Sequence, residues 1–177
     1  GIFKISEKDD FSGGRTIDAF AGVQSLYNQG NQPCLHISWL FNFSGKPWLT
    51  QKWTRKICDL FYGTDPVHGY GRGQDEDQGQ LGAWYVMASL GLFDVKGLTD
   101  SRPIVQLGSP LFRKATIRMR EGRNLVIRTT TRSKQDVYVQ SVRFNGKPVK
   151  SCWLYWDELM EGDRKSTRLN SSHRIRS

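Results

Sequence analysis

The sequence predicts an α+β chain, helical up to about residue 97 and strand-forming from there to about residue 162. Leu49, Trp53, Ile57 and Leu60 recur at three- and four-residue steps, as do Leu81, Trp84, Tyr85, Ala88 and Leu92. That spacing places apolar side chains on one face of a helix. Ala115, Ile117 and Met119 instead alternate with Thr116, Arg118 and Arg120, which is the period of a half-buried strand. Asn145-Gly146 adds a strong hairpin signal. Lys96-Gly97 marks the change of character.

In chain order, Ile17, Phe20, Val23 and Tyr27 predict a first helix, broken by the turn-rich run from Asn28 to Pro33. The apolar stretch 36–41 is expected to be a short helix buried on most sides. Ser44-Gly45 supplies a turn, and Pro47 suits the first position of the next helix. There Lys52, Arg55, Lys56 and Asp59 are expected to lie largely away from the apolar stripe. A glycine-rich segment, 63–79, leads to a helix ending near Gly91 or Phe93. Leu125 to Ile127, Val137 to Val139 with Val142 and Phe144, and Cys152 to Trp156 complete the expected strands. Stripes this rich in Trp, Phe and Leu exceed what three or four helices cover for themselves, so a larger helical assembly or a partner is expected around them.

Composition narrows the function. The chain has 177 residues, 12% of them aromatic, with six Trp, which excludes intrinsic disorder. No apolar run approaches the roughly 20 residues of a membrane span. The net charge is +9, but residues 163–177 hold five basic side chains against one acid, and without them the charge is +5. A nucleic-acid partner is therefore not expected. Cys34, Cys58 and Cys152 are odd in number and widely spaced, so neither a disulfide framework nor a zinc site is implied. The start at Gly1 suggests a cut end.

The densest chemical signal is the run from Tyr70 to Gln80, with Asp75, Glu76 and Asp77 flanked by glycines ahead of a predicted helix. A carboxylate near a helix N-terminus is held in its charged form by the dipole and the free N–H groups. An ionised carboxylate suits a general base or a cation ligand; ordinary helix capping by solvated acids is the alternative. An EF-hand does not fit, because position six is Gln80 and position twelve is Val86. Gly71-x-Gly73 is too short for a dinucleotide fingerprint. His36 is a candidate sugar or metal contact, or else a core histidine. Trp39, Trp48, Trp53 and Trp84 are candidate sugar platforms or core residues. No GxSxG or HExxH is present.

The run GQDEDQGQLGAWYVMASLGLF from Gly73 to Phe93 resembles the signature of glycoside hydrolase family 92. Other stretches agree in order. GNQP at 30–33 with His36, and NFSGKPW at 42–48, resemble that family's GNEP…H…NYAGxPW region. GSPLF at 108–112 resembles its GSPLF, and YVQS at 138–141 with NGKP at 145–148 resembles its YVQS…LNGKP. Residues 163–173 resemble a common short-read sequencing adapter translated in one frame, with an artefactual, disordered tail expected over 163–177.

The resemblance implies a fragment of an exo-acting, calcium-dependent, inverting α-mannosidase acting on mannose-containing glycans. It implies that residues 1–97 supply the last helices of an (α/α)6 barrel. Residues 98–162 would then be a sandwich-like β-rich C-terminal element, with the N-terminal β-sandwich and the remaining barrel helices missing. Asp77 is implied as the water-activating base with Asp75 assisting, His36, Gln74 and Glu76 as substrate contacts, and Asn31 and Gln32 as calcium neighbours. The family's general acid is a Glu expected before Gly1, so the fragment alone should be inactive. Gln32 stands where many members have Glu, and Leu35 where a His is common. A periplasmic or extracellular location is implied by the family alone. The alternative is a non-catalytic glycan-binding or structural module.

Overall fold

A computed structural model describes residues 1–12, 27–63, 78–130, 133, 135–161 and 167–174. Its helices are α1 (Ile2–Ser6), α2 (Pro47–Leu60), α3 (Gln80–Leu90) and α4 (Trp156–Glu161). Its strands are β1 (Leu92–Phe93), β2 (Ile104–Leu107), β3 (Lys114–Arg118), β4 (Asn124–Thr129), β5 (Tyr138–Phe144), β6 (Lys147–Val149), β7 (Trp153–Tyr155) and β8 (Thr167–Arg174). The helix expected around Ile17, Phe20 and Val23 lies outside the described residues.

The helical part gathers around one aromatic core. Phe3, Phe11, Tyr27, Trp39, Trp53, Ile57, Phe61 and Trp84 are buried together. Phe3 stacks on Trp53 at 5.2 Å between ring centroids, and Trp39 stacks on Phe93 at 5.2 Å. Offset stacking of this kind adds to the area each ring removes from water. The α2 stripe behaves as its spacing predicts, with Trp53 and Ile57 buried and Leu49 and Leu60 packed on the core. Pro47 opens α2, where its missing N–H costs nothing.

Arg55 departs from the expectation of an outward charge. It is buried, and its Nη1 donates to the Pro110 carbonyl at 2.8 Å. Desolvation lowers its pKa, opposed by the Asp59 carboxylate. The charge is tolerated because its head finds a carbonyl. Residues 37–42 also differ in detail, forming a 3₁₀ helix, Ile37–Asn42, with only Ser38, Trp39 and Asn42 buried.

Helix α3 stops at Gly91, whose φ of 72° is the left-handed conformation that glycine adopts freely. A Cβ there would also sit 2.7 Å from the Pro110 ring, so Gly91 is doubly required. The chain then enters a three-stranded sheet of order β1-β2-β7, antiparallel throughout. β1 and β2 were not individually legible, and the strand expected to run to Trp156 ends at Tyr155, where α4 begins. A second, five-stranded sheet has the order β3-β4-β8-β5-β6. Its hairpin β5-β6 turns at Asn145 (φ 48°) and Gly146 (φ 81°), as the dipeptide predicts. Leu92, Val105, Leu107, Leu125, Ile127, Leu154 and Leu159 form the core of this half.

Of residues 163–177, expected to be a disordered tail, the structure describes Thr167–Arg174, which pairs parallel to β4 and antiparallel to β5. Without this segment each of those strands would present an open edge in the middle of the sheet, and an extended run free of Pro and Gly satisfies both ladders with its backbone.

All three cysteines are free. Burial, with the nearby Asp59 charge, pushes the Cys58 thiol up to about 12, whereas Cys34 and Cys152 are half-buried. Only thiolates react with disulfide reagents, so at pH 8 Cys58 is the last of the three to be labelled. Timed labelling read by peptide mass spectrometry checks this; modification of Cys58 ahead of both others contradicts it.

Candidate active site

The first group of implied site residues sits on one short surface segment. Asn28 turns the chain, its Oδ1 accepting the Gly30 N–H at 2.8 Å. Asn31 is extended (φ −98°, ψ 115°) and caps a 3₁₀ turn over Gln32–Cys34, held by the Cys34 N–H on the Asn31 carbonyl at 2.8 Å. His36 caps the next 3₁₀ helix. Asn31, Gln32 and His36 are all exposed, so His36 is not the core histidine that its apolar neighbours allowed.

The second group, Gln74, Asp75, Glu76 and Asp77, lies outside the described residues. The chain is described again from Gln78 (φ 65°), and Gly79 (φ 81°) caps α3 with no side-chain hydrogen bond. Asp77 thus stands two positions before the cap in sequence.

Polar contacts, most of them partly buried, join Tyr62 and the start of α3 to residues between Tyr27 and Leu35. Tyr27 donates to Gln29 Oε1. Gln29 Nε2 donates to the Tyr62 hydroxyl, and that hydroxyl donates to the Leu81 carbonyl, each at 3.0 Å. Trp84 Nε1 donates to the Leu35 carbonyl at 2.8 Å. The Tyr62 ring lies nearly parallel to Trp84 at 5.7 Å. Tyr27 is fully enclosed, and burial raises its phenol well above the usual range, keeping it a donor.

The other quoted motifs meet elsewhere. Asn42, Pro47, Gly108, Gln140, Ser141 and Trp153 help to line a cleft of about 450 Å³ between α2 and the two sheets. Asn42 holds it together, with Nδ2 on the Leu107 carbonyl at 3.3 Å and its own carbonyl accepting the Cys152 thiol at 3.3 Å. Gln51 Oε1 accepts the Val139 N–H at 3.0 Å. None of Asn31, Gln32 and His36 lines this cleft.

The family model for the glycosyl hydrolase family 92 catalytic domain matches residues 2–171. The chain belongs to glycosyl hydrolase family 92. No curated protein matches it. Among solved structures it is similar to the family 92 α-mannosidase BT3965 from Bacteroides thetaiotaomicron, in complex with mannoimidazole. That match has 29% identity and a TM-score of 0.74, over 94% of this chain and 20% of that one. It is similar to the family 92 hydrolase ccman5, at 25% identity and TM-score 0.77, over 88% and 23% of the two chains. The inverting mannosidase BT2199 from Bacteroides thetaiotaomicron VPI-5482 matches at 28% identity and TM-score 0.70, over 97% and 24%. The chain therefore spans about a fifth to a quarter of these family 92 structures.

Family membership makes the donor chemistry of Asn31 and Gln32 relevant. Their amide oxygens are hard, neutral and exposed, the kind of ligand calcium takes among its six to eight oxygens. Two such donors suit part of a calcium shell and would need carboxylates from elsewhere. Among the described residues, no group of three or more His, Cys, Asp or Glu side chains could hold a metal. Three of the four candidate sugar platforms, Trp39, Trp53 and Trp84, are buried core residues; Trp48 is exposed. No described helix is long and apolar enough to cross a membrane.

Sequence reasoning missed the Gln29–Tyr62 contact. An amide and a phenol 33 residues apart carry no spacing signal.

Proposed function

We propose that this chain is the part of an exo-acting, calcium-dependent, inverting α-mannosidase that carries the general base. Its substrates would be terminal α-mannosides of glycans, and the protein would act in the periplasm or outside the cell. The observation that carries this reading is the match of the family 92 catalytic domain to residues 2–171, with the acidic run inside it. Its similarity to one structure described as an α-mannosidase and to another described as an inverting mannosidase supports the substrate and stereochemistry.

In this reading Asp77 takes the proton of a water attacking the anomeric carbon, and Asp75 assists. Inversion needs base and acid about 6.5–9.5 Å apart across the sugar ring. The acid is assigned to a Glu in the rest of the protein. Asp75 and Asp77 stay on the base side. His36, Gln74 and Glu76 contact the sugar. Asn31 and Gln32 would help to hold calcium, which when bound grips sugar hydroxyls and favours a distorted ring. The helical half would be the end of an (α/α)6 barrel, beside a β-rich C-terminal element. The alternative, a glycan-binding module built on Trp platforms, is disfavoured by the burial of Trp39, Trp53 and Trp84.

A complete enzyme containing this chain is expected to release mannose from α-mannosides, to lose that activity on calcium chelation, and to regain it when calcium is restored. Release of no mannose from any α-mannoside defeats the assignment. Full turnover after chelation defeats its calcium component alone.

A further inference from the structure

We propose that the outward face of the five-stranded sheet docks the protein on an anionic phospholipid surface. Residues 113–150 hold eleven basic side chains against two acids, a net +9 that equals the charge of the whole chain. Strands β3, β4, β5 and β6 all lie in this stretch, so the excess charge belongs to one element of the fold.

Alternation along each strand sorts the side chains between two faces. Ala115, Ile117, Leu125, Ile127, Val142 and Phe144 pack inward on the core of this half. Between them Lys114, Arg118, Arg128 and Arg143 are exposed. Register puts three of these in one row: Lys114 is opposite Arg128, and Asn170 of β8 is opposite both Arg128 and Arg143. Like charges directly opposite across a ladder repel. None of the four forms an ion pair among the described residues. Arg143 Nη1 donates to the Gly146 carbonyl at 2.9 Å, which leaves its charge uncompensated.

The spread of these charges selects the partner. Strand spacing sets Lys114 and Arg143 about 14 Å apart across the sheet, and the rise along β3 sets Lys114 and Arg118 about 13 Å apart. One phosphate or carboxylate cannot bridge such distances, so the occupant is an extended anionic surface. A protein partner calls for apolar and aromatic anchors at the centre of its interface. The outward positions of β3 and β4 are instead Lys114, Thr116, Arg118, Asn124, Val126 and Arg128, and Val126 is buried. They also offer no ring on which a nucleic-acid base could stack. A flat face of spaced cations matches a plane of anionic headgroups, which attracts each basic side chain held near it. Arg adds bidentate pairing with phosphate oxygens.

The test is co-sedimentation of a complete enzyme containing this chain with phosphatidylglycerol vesicles, compared with phosphatidylcholine vesicles. The expected result is binding to the anionic vesicles alone, lost as salt is raised. Lys114→Gln, Arg128→Gln and Arg143→Gln are each expected to weaken binding about fivefold, and the triple variant about 100-fold. These side chains are exposed and outside the proposed catalytic residues. Circular dichroism should therefore be unchanged, and hydrolysis of a soluble mannoside should stay within about twofold of the parent. Absence of binding to anionic vesicles overturns the proposal, as does binding that the triple variant retains. Preference for an oligonucleotide over anionic vesicles at the same salt overturns it in favour of a nucleic-acid partner. Vesicle binding is read without turnover, so it stands or falls apart from the mannosidase assignment.

Discussion

In a complete family 92 enzyme containing this chain, Asp77→Asn is expected to lower kcat by about 10²–10⁴-fold, the contribution typical of a positioned general base. That corresponds to roughly 3–5 kcal/mol of activation free energy. The amide keeps the shape and loses the ability to take a proton from water. KM is expected to move little, because the interaction lost belongs to the transition state. The pH profile makes the test specific. A base must be ionised, so the acidic limb of kcat against pH belongs to it and should flatten in the variant, while the basic limb from the general acid stays. Asp75→Asn, an assistant's loss, is expected to cost less. Full turnover by Asp77→Asn would remove the assignment, and equal losses at both positions would favour a coupled pair over a single base.

What was legible in the sequence depended on how local its physical cause is. The α2 stripe was readable because Leu49, Trp53, Ile57 and Leu60 share one helix face against one core. The β5-β6 hairpin was readable because Asn145-Gly146 fixes its own turn. Arg55 was misjudged because charge was taken as a mark of solvent, whereas a carbonyl 55 residues away receives it. β1 escaped because it has two residues and exists only through its register with β2, Leu92 opposite Leu107. β8 escaped because its place depends on two strand edges far upstream, and its own pattern carries little information. The candidate site divides in the same way. Acids near a helix start have a local electrostatic meaning, and the resemblance supplied their roles. The contacts that join the start of α3 to Gln29, beside the Asn31 turn, run through Tyr62, which no periodicity marks.

Trp39 is where the helical and β halves meet, and Trp39→Ala is expected to cost about 3–5 kcal/mol of stability. The ring is fully buried, stacked on Phe93 at 5.2 Å and 15°. Its outer edge closes over Gly108, where an added Cβ would lie 2.8 Å from the ring. Truncation leaves a large void that neither sheet nor helix can collapse into, since the Trp39 carbonyl and Asn42 are both engaged, by Thr50 and by the Leu107 carbonyl. Denaturant unfolding of the complete protein would read this as a lower midpoint. Gly108→Ala supplies the complementary case: with Trp39 in place the new methyl has no room, and about 1–3 kcal/mol is expected to be lost through overpacking. In the Trp39→Ala protein that methyl enters the vacated volume, so Gly108→Ala there should be neutral or stabilising. The two substitutions should therefore be strongly non-additive, as contacting residues are. Simple additivity would mean that the ring does not rest on Gly108, and that the two halves are joined instead through Arg55 on Pro110 and Gln51 on Val139.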